Sequence, residues 1–316
     1  MIKKDISKII EKDHVKFISV CFVDALGQLR SKLVNKRKVI DALNKDGKGL
    51  TIALPSLALG YCDTQVEISG FSSNKDKFGD IPAKIDFDSL RILPFENEGQ
   101  NLICFIELED EYKSFCSRSI LKKILNKANK QDLYPRFGVE LEFTLLDETS
   151  KSIKNKSYNN LSTTTLESSY NLLQRQNLQS EIYNNFINFS EIMKIEVEAW
   201  HEEMGAGFME VALLSGKTIK SADDTILVKH LIKQIALRHD KLATFMARWS
   251  NDADGHSGHI HISLENDKKE NLFKNNSKTF KNFVSGMQSY SPELMLLFAP
   301  NANSFKRYQP EIFTPI

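Results

Sequence analysis

The sequence predicts an α+β fold in two parts: a small, mostly β unit over residues 13–110 and a larger α+β unit over 116–316. Three observations carry this reading. Residues 15–34, VKFISVCFVDALGQLRSKLV, alternate as two strands joined near Asp24 to Gly27. Residues 117–131, SRSILKKILNKANKQ, set Ile120, Leu121, Ile124, Leu125 and Ala128 at helical spacing and open the second part. Beyond them, several strand-like segments place apolar residues on one face and Glu or His on the other.

Taken in order, Ile2, Ile6, Ile9 and Ile10 give residues 2–12 the stripe of a short amphipathic helix. After the hairpin, residues 54–88 read as loop-rich, followed by the apolar runs RILPF and NLICFIELE. GVELEFTLL then reads as a strand, and the polar tract SKSIKNKSYNNLSTTT as a surface loop. Residues 196–214, EVEAWHEEMGAGFMEVALL, are strand, glycine turn, strand. Ser221 and Asp224 resemble a capping box opening a helix with Leu227, Leu231, Ile232 and Ile235 inward. ATFMARW, the loop NDADGHSG and the strand HIHISL follow, and a Phe- and Met-rich helix covers about 278–298.

Composition limits the function classes. Forty-two basic and 41 acidic side chains leave a net charge of +1, so no global field points to nucleic acid or an anionic membrane. The charged N-terminus and the lack of a run of about 18 apolar residues predict a cytoplasmic protein. Cys21, Cys62, Cys104 and Cys116 are scattered and read as buried free thiols.

The chemistry is concentrated on strand faces. In GVELEFTL, Val139, Leu141, Phe143 and Leu145 share one face, and Glu140 and Glu142 the other. About 7 Å apart, the two carboxylates repel by about 2 kcal/mol at an effective dielectric near 20. A solvated acidic edge would account for one such strand. His259, His261 and Ser263 repeat the pattern, however, and Glu203 and Glu210 flank the Gly205 to Gly207 turn that can bring them together. Carboxylates mixed with imidazole suit magnesium or manganese. Gly205 and Gly207 lie between strands, without the helix that a dinucleotide fingerprint requires.

These stretches carry a resemblance. GVELEF, HEEMGAGFME, ATFMARW, GHSGHIHISL and NSFKRY are similar, in the same order, to segments of the glutamine synthetase family, over about residues 13–316. The resemblance implies a β-grasp N-terminal domain, an α+β catalytic domain built on a curved antiparallel sheet, and two stacked rings of subunits with each site between neighbours. It implies ATP, glutamate, ammonia or an amine, and two divalent cations. Glu142, Glu203 and Glu210 match the ligands of the ion that holds glutamate, and Glu140 and His259 match ligands of the ion that holds the nucleotide phosphates. Glu198, His261 and Ser263 match nucleotide positions, Gly255 and Arg307 glutamate positions, and Asp80 the aspartate that takes a proton from ammonium in a neighbouring subunit.

Departures from the family pattern bear on the acceptor. Phe208 stands where the family has Gln, Asp254 where it has Asn, and Phe313 where it has the glutamate closing the ammonium pocket, with Glu311 nearby. Members that ligate polyamines or methylamine also carry an aromatic residue at the position of Phe313. Ammonia is the default acceptor, with an alkylamine or polyamine the alternative and a non-catalytic structural or regulatory role a third reading. The family continues past the position matching Ile316 with a further metal ligand and phosphate-binding arginines, so the catalytic domain is expected to be truncated at the C-terminus and the 316 residues to have little ligase activity.

Overall fold

The structure, a computed structural model, describes residues 3–12, 14–57, 59–64, 66, 79–95 and 101–309. It divides into two compact units, Met1–Lys127 with Ile192–Lys194, and Ala128–Glu191 with Ile195–Ile316. Glu311 and Phe313 lie outside the described residues.

The first unit contains α1 (Lys3–Ile10), β1 (Phe17–Val23), β2 (Leu29–Asn35), α2 (Lys36–Asn44), β3 (Leu50–Ala53), β4 (Asp80–Leu93), β5 (Asn101–Leu108) and most of α3 (Ser117–Asn129). Its sheet has the order β2-β1-β5-β4-β3, antiparallel except for the β1–β5 pair. The predicted hairpin forms because Asp24 closes it: its carboxylate accepts from the Leu26 and Gln28 amides at 2.9 Å and from Arg30 Nε at 2.7 Å. Gly27 takes the left-handed conformation at the tip, φ +74°. Ile6, Ile10, Ile18, Val39, Ile85 and Ile106 belong to one apolar core.

Several expectations change here. β4 begins at Asp80, inside the stretch read as loop-rich, because Ile81, Ala83 and Ile85 alternate inward. The apolar stripe of α3 buries nothing, leaving Ile120 and Ile124 exposed. Cys62 is exposed, whereas Cys21, Cys104 and Cys116 are buried; burial pushes the Cys21 thiol up to about 12.

The second unit holds β6 (Tyr134–Leu146), α4 (Ser150–Asn155), α5 (Leu173–Leu178), all but the last residue of α6 (Ser180–Ile192), β7 (Val197–Glu202), β8 (Phe208–Lys217), α7 (Thr218–Arg238), β9 (Leu242–Thr244), β10 (Gly258–Glu265), α8 (Lys278–Phe298) and α9 (Ala302–Phe305). Its strands form a curled antiparallel sheet, β10-β6-β8-β7, with β9 also paired to β6. Val139, Leu141 and Phe143 pair with Leu213, Val211 and Met209, and all six are buried. Phe143 stacks on Phe245, ring centroids 5.2 Å apart, and meets Trp200 edge-on at 5.3 Å. α7 packs against β6, β8 and β9 and buries Leu227, Leu231, Ile232 and Ile235 as predicted.

The capping box at Ser221 does not form. α7 starts at Thr218, directly after β8, with Lys217 as its first cap, so Ser221 lies one turn inside. Its hydroxyl instead donates to the Phe137 carbonyl at 3.1 Å, and that of Thr218 to the Pro135 carbonyl at 2.8 Å. The polar tract contains α4, whose capping box is made by Thr149 and Ser152. No helix among the described residues is long and apolar enough to cross a membrane.

Candidate metal and ligation site

Register across the second sheet sets the site. On β6, Glu140 lies opposite His259 of β10 and Ala212 of β8; two residues on, Glu142 lies opposite Glu210 of β8, which is opposite His201 of β7. Because side chains alternate, Glu140, Glu142, Glu210, His201 and His259 share one face. The opposite face carries the buried apolar pairs. Neighbouring strands about 4.8 Å apart thus bring together groups more than 100 residues distant in sequence.

Two sets of donor atoms converge, each within 4.8 Å: Glu140, Glu210 and His259 in one, His201, Glu203 and Glu210 in the other. Glu140 spans two imidazoles, Oε2 lying 3.1 Å from His259 Nδ1 and Oε1 3.0 Å from His261 Nε2. His201 Nε2 is 3.1 Å from Glu210 Oε1, and its Nδ1 is 3.5 Å from Glu203 Oε1. Burial, and then the charge of Glu140, hold the Glu210 carboxyl above its usual range; His201 opposes, and Glu142 and Glu203 add to the rise.

Carboxylate oxygens with one imidazole per set are the donors that a divalent cation of hard or intermediate character takes. Uncompensated repulsion around Glu210 is what such a cation would relieve.

A family profile described as "Glutamine synthetase, catalytic domain" matches residues 114–316. The chain belongs to the glutamine synthetase family. It is 31% identical over 307 residues to type-1 glutamine synthetase 2 of Dictyostelium discoideum, a match covering 95% of this chain and 58% of that protein. With the glutamate–isopropylamine ligase of a Pseudomonas species it shares 28% identity over 315 residues, covering 96% and 68%. The solved structure of a GmaS/ADP complex superposes with a TM-score of 0.80 at 23% identity, covering 97% of this chain and 67% of that one. The chain therefore spans about three fifths to two thirds of the length of these relatives.

Within this member of the glutamine synthetase family the remaining residues of the candidate site are distributed unevenly. Glu142 joins neither donor set; its Oε2 accepts from the Ser257 amide at 2.5 Å. Ser263 pairs with Arg136, and Glu198 is exposed beside a register irregularity in β7. Asp80 belongs to the first unit, where it accepts from the Thr51 hydroxyl at 3.1 Å. Gly255 and Arg307 are in close contact: a Cβ on Gly255 would come within 2.9 Å of Arg307 Cγ and 2.8 Å of the Ala247 carbonyl. Arg307 Nε is a buried donor without an acceptor among the described residues.

Two histidines were missed in the sequence. His201 was legible, since it precedes Glu203 by two positions and so shares its strand face. His256 carried no such signal. It is buried against Phe208, ring centroids 4.9 Å apart, with Nδ1 donating to the Met246 carbonyl at 2.8 Å and Nε2 accepting from the Thr144 hydroxyl at 2.7 Å. Burial, more than the nearby Arg307 charge, lowers it to about 4, against the Met246 bond. This neutral histidine fastens the glycine loop to β6.

Proposed function

We propose that the chain carries part of the catalytic apparatus of an ATP-dependent ligase that joins ammonia, or an amine, to the γ-carboxylate of glutamate. The observation that carries the reading is the convergence of Glu140, Glu210 and His259 on one sheet face, with Glu203 and His201 beside them. In this reading Glu142, Glu203 and Glu210 would hold one divalent cation beside the glutamate, and Glu140 and His259 would hold a second beside the nucleotide phosphates. Mg²⁺ or Mn²⁺ held there supplies positive charge that offsets the charge of the transferring phosphoryl group.

The γ-carboxylate attacks the terminal phosphate of ATP with release of ADP, and the amine then displaces phosphate from the γ-glutamyl phosphate. A carboxylate oxygen leaves poorly; as phosphate it leaves readily. Arg307 offers a fork of donors, including its unpartnered Nε, to the substrate α-carboxylate. The Gly255 backbone meets the amino acid where any side chain would collide with Arg307. Glu198, His261 and Ser263 line the nucleotide. Asp80 takes the amine proton in the site of a neighbouring subunit, within a double ring of cytoplasmic subunits.

A second acceptor class is favoured in sequence by Phe313, which by the family resemblance replaces an anion with an apolar side chain, and by the amine-ligase relative. The test is product analysis by mass spectrometry after incubation with ATP, glutamate and Mg²⁺ or Mn²⁺, using ammonium, methylamine, isopropylamine and putrescine in parallel. A γ-glutamyl amide with ADP formation supports the ligase; the acceptor giving the largest kcat/KM decides between the two classes. Failure of every acceptor, together with no uptake of glutamate or nucleotide, refutes the ligase reading.

A further inference from the structure

Arg248 is buried, 9% exposed, yet no carboxylate among the described residues pairs with it. Its guanidinium is directed entirely at oxygens of two chain segments. Nε donates to the Ser250 carbonyl at 3.3 Å, just before the glycine loop, and Nη2 to the Asn251 carbonyl at 2.6 Å, at its start. Nη1 donates to the Lys306 carbonyl at 3.2 Å and to Gln309 Oε1 at 2.8 Å. The backbone of the same residue is tied to Asn303, which accepts from the Arg248 amide at 2.9 Å and donates to its carbonyl at 2.7 Å.

These bonds bracket Arg307. Lys306 is its neighbour, and Asn303 and Gln309 lie on either side of it in sequence. The loop that Arg248 fills is closed at its far end by His256, whose amide donates to the Ala247 carbonyl at 2.8 Å. Gly255 lies in that closure, and the Arg307 stem runs against it. A planar fork with donors on three nitrogens can serve both segments at once, which a single ammonium on a flexible stem cannot do in the same geometry.

We infer that Arg248 is a positioning residue for Arg307: its buried guanidinium fixes the glycine loop and the 303–309 segment in one register and so sets where the Arg307 guanidinium is presented. The consequence for glutamate affinity rests on the reading of Arg307 as the residue that holds the substrate carboxylate; the geometric claim does not.

The experiment compares the full chain with its R248K variant, which keeps the charge and loses the fork. Amide hydrogen exchange followed by mass spectrometry reads the geometry, and calorimetric titration with L-glutamate and, separately, with Mn²⁺ reads binding. The expected result is at least tenfold faster exchange in 250–256 and 303–309 with β6 and β8 unchanged, at least tenfold weaker glutamate binding, and Mn²⁺ affinity within twofold. Unchanged exchange in those two segments overturns the inference. So does faster exchange spread equally over β6 and β8, or an equal loss of glutamate and Mn²⁺ affinity, since either marks a merely structural role. If the unaltered chain takes up no glutamate, the ligase reading fails, and the exchange data alone decide the role of Arg248.

Discussion

Glu140 and His259 stand directly opposite each other on β6 and β10, Oε2 and Nδ1 3.1 Å apart, although 119 positions separate them in the chain. Strand register alone makes this meeting possible. A slip of one residue in the β6–β10 pairing would turn one of the two side chains away from the other. The acidic face of the sheet is therefore as precisely specified as its apolar core.

The first expectation concerns the repulsion stored around Glu210. In cation-free protein, replacing it by Gln removes a buried charge surrounded by Glu140, Glu142 and Glu203, and stability to urea should hold or rise by about 1 kcal/mol. Mn²⁺ affinity, measured by calorimetry on the same variant, should fall at least about tenfold. A variant that is less stable without cation, or that binds Mn²⁺ normally, contradicts the site.

Acid should act in two separate windows. His256 is lowered to about 4, below its unfolded value near 6.5, so the unfolded chain binds the extra proton first. Its contribution is complete above about 6.5 and is lost as pH falls toward 4, with an upper bound of about 3 kcal/mol. H256Q should flatten the urea-midpoint profile in that range.

Glu148 titrates lower still. Lys156, then the Ser152 hydroxyl and the Ser162 amide, bring it down to about 2, so its contribution is present above about 4.5 and disappears as pH falls through 2. In E148Q the corresponding acid loss should vanish while the His256 window stays in place.

Packing behind the site sets a further expectation. Phe143 is fully buried between Phe245 and Trp200. Truncation to Ala should cost about 3–5 kcal/mol in urea unfolding. A loss below about 1 kcal/mol would mean that the rings do not form the support described.

Gly255 tests the glycine loop. G255A places a methyl group within 2.8 Å of the Ala247 carbonyl and 2.9 Å of Arg307 Cγ, and relief requires both loop and arginine to move. The expected cost is about 1–3 kcal/mol. Wild-type stability together with wild-type glutamate binding would show that the close approach is not maintained in solution.

How much of this was legible in the sequence follows from the kind of signal involved. Period-two alternation revealed the faces of 139–145 and 259–264, because a strand side chain has only two directions to take. Helix α8 was legible as a Phe- and Met-rich stretch despite its internal Pro292, and begins at Lys278. α2 was not, since KRKVIDALN opens with three charged or polar positions and buries only Val39, Ala42 and Leu43. The opening of α7 was misplaced because the helix follows β8 directly and its first-turn hydroxyls donate to carbonyls, on β6 and at Lys217, rather than accepting from backbone amides as a capping box does. Arg248 lies in the ATFMARW stretch, but its role was not legible: its partners are mainly backbone carbonyls, which every residue type carries, in segments that only the fold brings near.

Lys217 is both the last residue of β8 and the cap of α7, so sheet and helix share a junction with no slack. Adding one residue there would rotate the helix by about 100° relative to the strand that feeds it. Leu227, Leu231 and Ile235 would then swing off the sheet, and the strand bearing Glu210 would lose its backing. The joint thus acts as a gauge, keeping the acidic wall and its buttress in step, and its length tolerates change far less than its side chains do.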